Sequence, residues 1–226
     1  MDYRIKLWNS NQKLLRNIIL KPSKFDEAIY LCLEQHAMVH SSKMSQIDTR
    51  TFEDDLWVNL DEKTARLAVN KKGRTAVYGI WHSTRIEDIT MNILVAEDIQ
   101  VINTNNWLNR INSTITDTGN ALSSKEILDF SKKVNIEELK NYRVDVGRKS
   151  RRIITNLTHA KLKEKMKKDN LKRILEEKAV LDVEESNWLI DFWGRKNVAG
   201  ILLMPITRHH LVHINESIEA KKSGIK

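Results

Sequence analysis

Pro22 and Pro205 are the only prolines in 226 residues, and with just seven glycines the chain has few points at which a helix is forced to stop. Lys, Glu, Leu, Ile and Asn dominate the rest, and 41% hydrophobic residues are enough to build a core. An all-α fold follows as the expectation, with long helices favoured over short strands.

Capping residues and apolar spacing divide the chain. Ser10 is placed as the N-cap of a short helix ending near Leu20, and Ser23 with Asp26 as the start of a second. On that second helix Phe25, Ile29, Cys32, Leu33, His36 and His40 recur at three- and four-residue spacing. Residues 41–74 read as a long polar connection anchored by Phe52, Leu56 and Trp57, and residues 98–122 as a second, Asn-rich connection with a short helix at most. Between them a helix is predicted from Thr75 to about Ala96. Ser123 and Glu126 have capping-box spacing, Asn135 caps a longer helix carrying Leu139, Tyr142, Val146, Ile153 and Leu157, Asp182 opens a helix ending near Gly194, and Asn197 opens the last, through about Ala220. Pro205 lies inside that last helix and is expected to kink it one turn ahead of a histidine cluster.

That cluster, His209-His210-Leu211-Val212-His213, holds three of the seven histidines. His209 and His213 are four apart and project from one helical face, which is metal-ligand spacing, whereas His210 is turned about 100° away. Two imidazoles need at least a third ligand to make a stable site. His82 is the candidate: it shares a stripe with Ile86, Ile89 and Ile93 and points into the core, where it is either that ligand or a hydrogen-bonded core histidine. His36 and His40 form a second four-apart pair, read as a structural pair, a fourth ligand or a proton shuttle. Glu216 is close enough to orient His213 or to be a surface carboxylate, and Arg85 is either a holder of an anionic cosubstrate or part of a surface ion pair, as is Arg208. His159, beside a lysine run, is placed at the surface.

The net charge of +8 is concentrated. Between Lys140 and Lys178 fourteen Lys or Arg face five Asp or Glu, leaving the remainder at −1. Such a region attracts nucleic acid or forms a solvated helical face with interleaved acids; the solvated face is the preferred reading. Cys32 is the sole cysteine, so no disulfide forms within the chain. With no export or membrane signal in the sequence, a cytoplasmic protein with a buried thiol is expected. Neither a Gly-rich phosphate loop nor a marked serine nucleophile is present.

Taken together, Trp81-His82-Ser83-Thr84-Arg85-Ile86-Glu87-Asp88-Ile89-Thr90 and His209-His210-Leu211-Val212-His213 resemble the DinB/YfiT-like superfamily of metalloenzymes. The resemblance implies one domain over residues 1–226, a four-helix bundle with its core at about 23–220, extra short helices and the two long connections. It also implies a divalent metal, zinc or nickel, held by His82, His209 and His213, and a homodimer acting on a small molecule. Some members are S-transferases using low-molecular-weight thiols, so thiol transfer or hydrolysis of a small substrate is the activity it implies. His213-Ile214-Asn215-Glu216 stands where the family usually has a histidine followed by a small polar turn. A non-catalytic, self-associating metal-binding bundle is the alternative, and a nucleic-acid binder the weakest of the three.

Overall fold

The computed structural model describes residues 3–224, and among these the protein is all-α, with no named strand; Lys165 and Asn197 form an isolated antiparallel bridge. No helix among the described residues is long and apolar enough to cross a membrane. Five long helices position the candidate site: α1 (Tyr3–Ile18), α2 (Phe25–Met38), α3 (Ala76–Ile89), α4 (Ile136–Thr155) and α5 (His209–Gly224).

The helix starts differ from the sequence expectation in three places. Ser10 lies within α1, which begins seven residues earlier because Trp8, Gln12, Leu15 and Ile18 share one buried face; there the Trp8 indole donates to the Gln35 carbonyl at 3.1 Å. Ser23 sits in a 3-10 turn (Pro22–Lys24), and α2 begins at Phe25 with no side-chain cap. Asp182 is likewise replaced as the cap position by Val183 ahead of the helix Glu184–Gly194. Elsewhere the helices start where they were expected, and each of these starts carries a polar cap. Thr75 caps α3, Ser123 and Glu126 form a capping box on the helix Ser124–Lys133, Asn135 caps α4, and Asn197 accepts from the Gly200 amide.

Residues 41–74 and 98–122 are more ordered than a loop. The first carries helices Ser42–Ser45, Phe52–Trp57 and Glu62–Leu67, with Phe52 and Leu56 buried; the second carries a 3-10 turn (Val101–Asn103) and the helix Trp107–Ile111.

Helix α3 is the centre of the molecule: all fourteen of its residues are buried, and it packs against both α4 and α5. It continues into a π-helical turn (Thr90–Ala96). Contact with α5 is close because Gly79 has no side chain; a Cβ there would stand 2.5 Å from the Ser217 hydroxyl and 3.4 Å from the His213 carbonyl. Gly147 does the same for α4, where a Cβ would meet Met44 Cγ at 2.7 Å and His40 Nδ1 at 3.1 Å.

The last predicted helix is three segments: Val198–Leu203, a π-helical turn (Met204–Arg208) and α5. Pro205 removes an amide donor, and the backbone widens there instead of simply bending. Within this turn the Leu202 carbonyl accepts from the Thr207 hydroxyl at 2.9 Å.

Cys32 is fully buried, and that burial pushes its thiol up to about 12, which leaves it inert as a nucleophile at neutral pH. Several residues of the basic stretch are engaged within the fold. Arg148 donates to the Lys43 and Met44 carbonyls, Arg151 to the Leu33 carbonyl, and Lys149, Lys161, Lys167, Lys172 and Arg173 pair with Asp98, Glu164, Glu97, Glu176 and Glu177. His159 is partly exposed and contacts the Leu20 carbonyl.

Candidate metal centre

One nitrogen from each of His82, His209 and His213 lies within 4.8 Å of the others. His82 comes from the middle of α3 and the other two from the first turns of α5, so the α3–α5 contact across Gly79 assembles the triad. His82 and His213 are buried, while His209 is half-buried.

The hydrogen bonds decide which nitrogens are free. A carbonyl can only accept, so His82 Nδ1 carries the proton and donates to the Thr118 carbonyl at 2.7 Å, leaving the Nε2 lone pair available. Tyr78 stacks on the His82 ring at 5.6 Å and donates its hydroxyl to the Gly119 carbonyl. His213 Nδ1 makes an oblique 3.1 Å contact with the Glu216 carboxylate, which likewise favours a proton on Nδ1 and a lone pair on Nε2. That Nε2 faces His209 Nε2 at 3.1 Å. His209 Nδ1 is buried with no hydrogen-bond partner.

Burial lowers all three imidazoles below their ordinary range. For His82 and His209 the drop is large, and for both the neighbouring His213 charge adds to it; for His213 the Glu216 carboxylate opposes the effect. Glu216 loses solvation on burial, yet the contacts from His213 and Lys72 and the charge of Arg74 outweigh this and hold it well below the usual carboxylate range. The triad is therefore neutral at physiological pH and can accept a cation without first releasing protons.

These shifts set a pH dependence for metal-free protein. Unfolded histidines titrate near 6.5 and the folded ones lower, so below about pH 6.5 the unfolded state binds more protons and stability falls as pH falls. The melting temperature of chelator-treated protein is expected to drop between pH 7.5 and 5, with no comparable loss between 7.5 and 8.5; a flat profile over the acid range contradicts the burial argument.

The remaining histidines form a second constellation. His36, in the last turn of α2, and His40, just beyond its end, each place Nε2 2.8 Å from one oxygen of Glu87 in α3. His210, turned away from the triad as its position on the wheel requires, is fully buried with Nε2 2.8 Å from Glu87 Oε2, its N–H poorly aligned. Behind it stands Arg143 of α4. Its guanidinium donates to His210 Nδ1 (3.1 Å), the Glu53 carboxylate (2.6 Å), the Thr84 hydroxyl (2.8 Å) and the Val39 carbonyl (2.8 Å). His36 and His40 thus face Glu87, not the triad.

Arg85 is not available to a cosubstrate. Its guanidinium is fully buried, donating to Asp88, the Tyr142 hydroxyl, Gln100 and the Thr116 carbonyl. The cations beside the triad are Lys72 and Arg74, both paired with Glu216, while Arg208 is exposed. A surface cavity of about 720 Å³ between Trp57, Arg66, Arg110 and Lys140 contains none of these histidines.

Glu87, Glu53, Arg143 and the Thr118 carbonyl carry no spacing signal. A helix apolar on several faces with Glu87-Asp88 in its middle does imply buried carboxylates, which was the available clue; a backbone carbonyl delivered by a loop gives none. No protein-family model and no curated protein matches the chain.

Proposed function

We propose that the protein is a divalent-metal-dependent enzyme of the DinB-like superfamily, acting on a small molecule at His82, His209 and His213, with zinc or nickel as the ion. The observation that carries this reading is the convergence of neutral imidazoles whose other ring nitrogens, on His82 and His213, are turned toward acceptors. The donor set fits a borderline divalent ion, and three protein ligands leave positions free for water or substrate. When bound, such an ion supplies Lewis acidity that lowers the pKa of a coordinated water or thiol.

The chain's own residues supply position and charge. The Thr118 carbonyl fixes the His82 ring and its tautomer. Glu216 places negative charge against His213 Nδ1 and holds Lys72 and Arg74 at the rim, where they can meet an anionic cosubstrate such as a low-molecular-weight thiol bearing a carboxylate. Glu216→Gln removes that charge and is expected to weaken zinc binding by about 10-fold, read by competition with a chromophoric chelator.

The test is metal analysis of protein purified without a histidine tag. Divalent metal is expected in acid digests, with one equivalent lost from a His209→Ala/His213→Ala variant; unchanged content would place the metal elsewhere. Consumption of a small thiol in the presence of an electrophile, seen only with metal-loaded protein, separates transfer from hydrolysis.

Self-association, implied both by a homodimer and by the non-catalytic reading, is favoured by an outward stripe on α1. Tyr3, Leu7 and Leu14 recur at helical spacing and are 73%, 46% and 43% exposed. A dimer in sedimentation equilibrium that becomes monomeric in Leu7→Lys/Leu14→Lys is the expected result; a monomeric native protein rejects it.

A further inference from the structure

Two carboxylates, Glu53 and Glu87, share a fully buried region with one guanidinium. Arg143 is committed to Glu53 through a 2.6 Å ion pair. Glu87, at 0% exposure, has only imidazoles as ion-pair partners among the described residues: His36, His40 and His210. A buried anion without a permanent cation is costly, and neutral imidazoles donate hydrogen bonds without cancelling charge.

The geometry around Glu87 is that of a cation site. His36 Nε2 faces one carboxylate oxygen and His40 Nε2 the other, and the three groups each bring a ligand atom within 4.8 Å of the others. Ligands about 2.0–2.1 Å from a tetrahedral zinc stand roughly 3.3 Å apart, so the 2.8 Å nitrogen–oxygen pairs need spread by only about half an ångström to admit an ion. On the far side of the two rings His36 Nδ1 and His40 Nδ1 are buried with no aligned partner, so the described side-chain hydrogen bonds of both imidazoles run to Glu87 alone.

His210 is not itself a ligand. Arginine only donates, so its bond to His210 Nδ1 places the imidazole proton on Nε2, pointing toward Glu87. His210 and Arg143 therefore support the carboxylate from behind. No residue belongs to both constellations, and the His209 and His210 rings, 6.4 Å apart, are set at 76° to each other and leave α5 on different faces.

We propose that His36, His40 and Glu87 form a second divalent-metal site, buried and structural, separate from the His82–His209–His213 triad. Two imidazole nitrogens and a carboxylate take a borderline ion such as zinc. Bound there, the ion ties the C-terminal end of α2 to the last turn of α3. Because every ligand is inaccessible to solvent, exchange requires opening of the fold.

Titration of chelator-treated, refolded full-length protein with cobalt chloride and with zinc sulfate tests this, and it stands apart from the triad because it is also run on His209→Ala/His213→Ala. Two equivalents are expected for the native chain and one for that variant, retained through dialysis against chelator at neutral pH and released on unfolding in urea. Adding Glu87→Gln to the variant should remove the remaining equivalent and the cobalt absorption that reports nitrogen and oxygen ligation. If the triad variant binds no ion while remaining helical by circular dichroism, or if Glu87→Gln leaves the buried equivalent in place, the assignment is overturned. Should Glu87→Gln not fold, the equivalents bound by the triad variant decide the matter alone. An outcome of one equivalent on the native chain and none on the triad variant would overturn the second site and leave the metal reading of the triad untouched.

Discussion

Alanine at His213 is expected to lower the affinity of the triad for zinc at least about 100-fold, because it removes one of three ligands where loss of an outer hydrogen-bonding partner alone costs about 10–100-fold. His213 also carries the contact to Glu216, so the variant loses both a nitrogen and the charge behind it. His40→Ala is the control, since His40 faces Glu87 on another side of α3. Competition with a chromophoric chelator, following the rapidly exchanging ion, measures the difference. Equal affinity for the His213→Ala and native proteins would mean that the convergence of the three rings is packing and not a binding site. Gly79→Ala perturbs the same helix contact without touching a ligand, because the added Cβ would stand 2.5 Å from the Ser217 hydroxyl, which must rotate away; with the His213 carbonyl at 3.4 Å, the expected loss of affinity is smaller than for His213→Ala.

The largest loss of stability is expected from Arg143→Met. Arg143 is 1% exposed and its guanidinium reaches Glu53, His210, Thr84 and the Val39 carbonyl just beyond α2. Methionine fills much of the volume but leaves Glu53, itself 2% exposed, as an uncompensated buried anion. Breaking a buried pair from one side costs about 3–5 kcal/mol, which for a chain of this size lowers Tm by roughly 10 °C. Arg143→Met/Glu53→Gln should recover a good part of this, since the orphaned charge goes with its partner. Urea denaturation of the two variants checks it: a double variant no more stable than the single one would locate the loss in the His210 and Val39 bonds instead.

Local signals foretold the helices well where they were purely local. Thr75, Ser123, Asn135 and Asn197 each cap a helix because a short polar side chain can satisfy a free amide wherever it sits in the chain. Ser10 misled for the same reason in reverse: its capping chemistry was available, but burial of Trp8 against α2 stabilises a helix through it. Residues 41–74 read as irregular because each of their short helices is anchored by only one or two apolar side chains, too few to give a periodic pattern. Arg85 was misplaced because charge suggests exposure, and only the surrounding Asp88, Tyr142 and Gln100 show that it is satisfied in the interior.

By itself the sequence determined the helical class, through its few prolines and glycines, and the pairing of His209 with His213, the inward direction of His82 and the divergence of His210, which follow from 100° per residue along one helix. Which groups those side chains meet was decided by tertiary structure. Contact between helices depends on distances that no single helix records: Gly79 lets α5 approach until His213 stands beside His82, and the loop at Thr118 supplies the carbonyl that fixes its tautomer. The same packing turned His210, His36 and His40 toward a carboxylate with no periodic signal of its own. The His209-His210-Leu211-Val212-His213 stretch at the start of α5 thus contributes to two separate clusters, because successive residues on a helix face different neighbours.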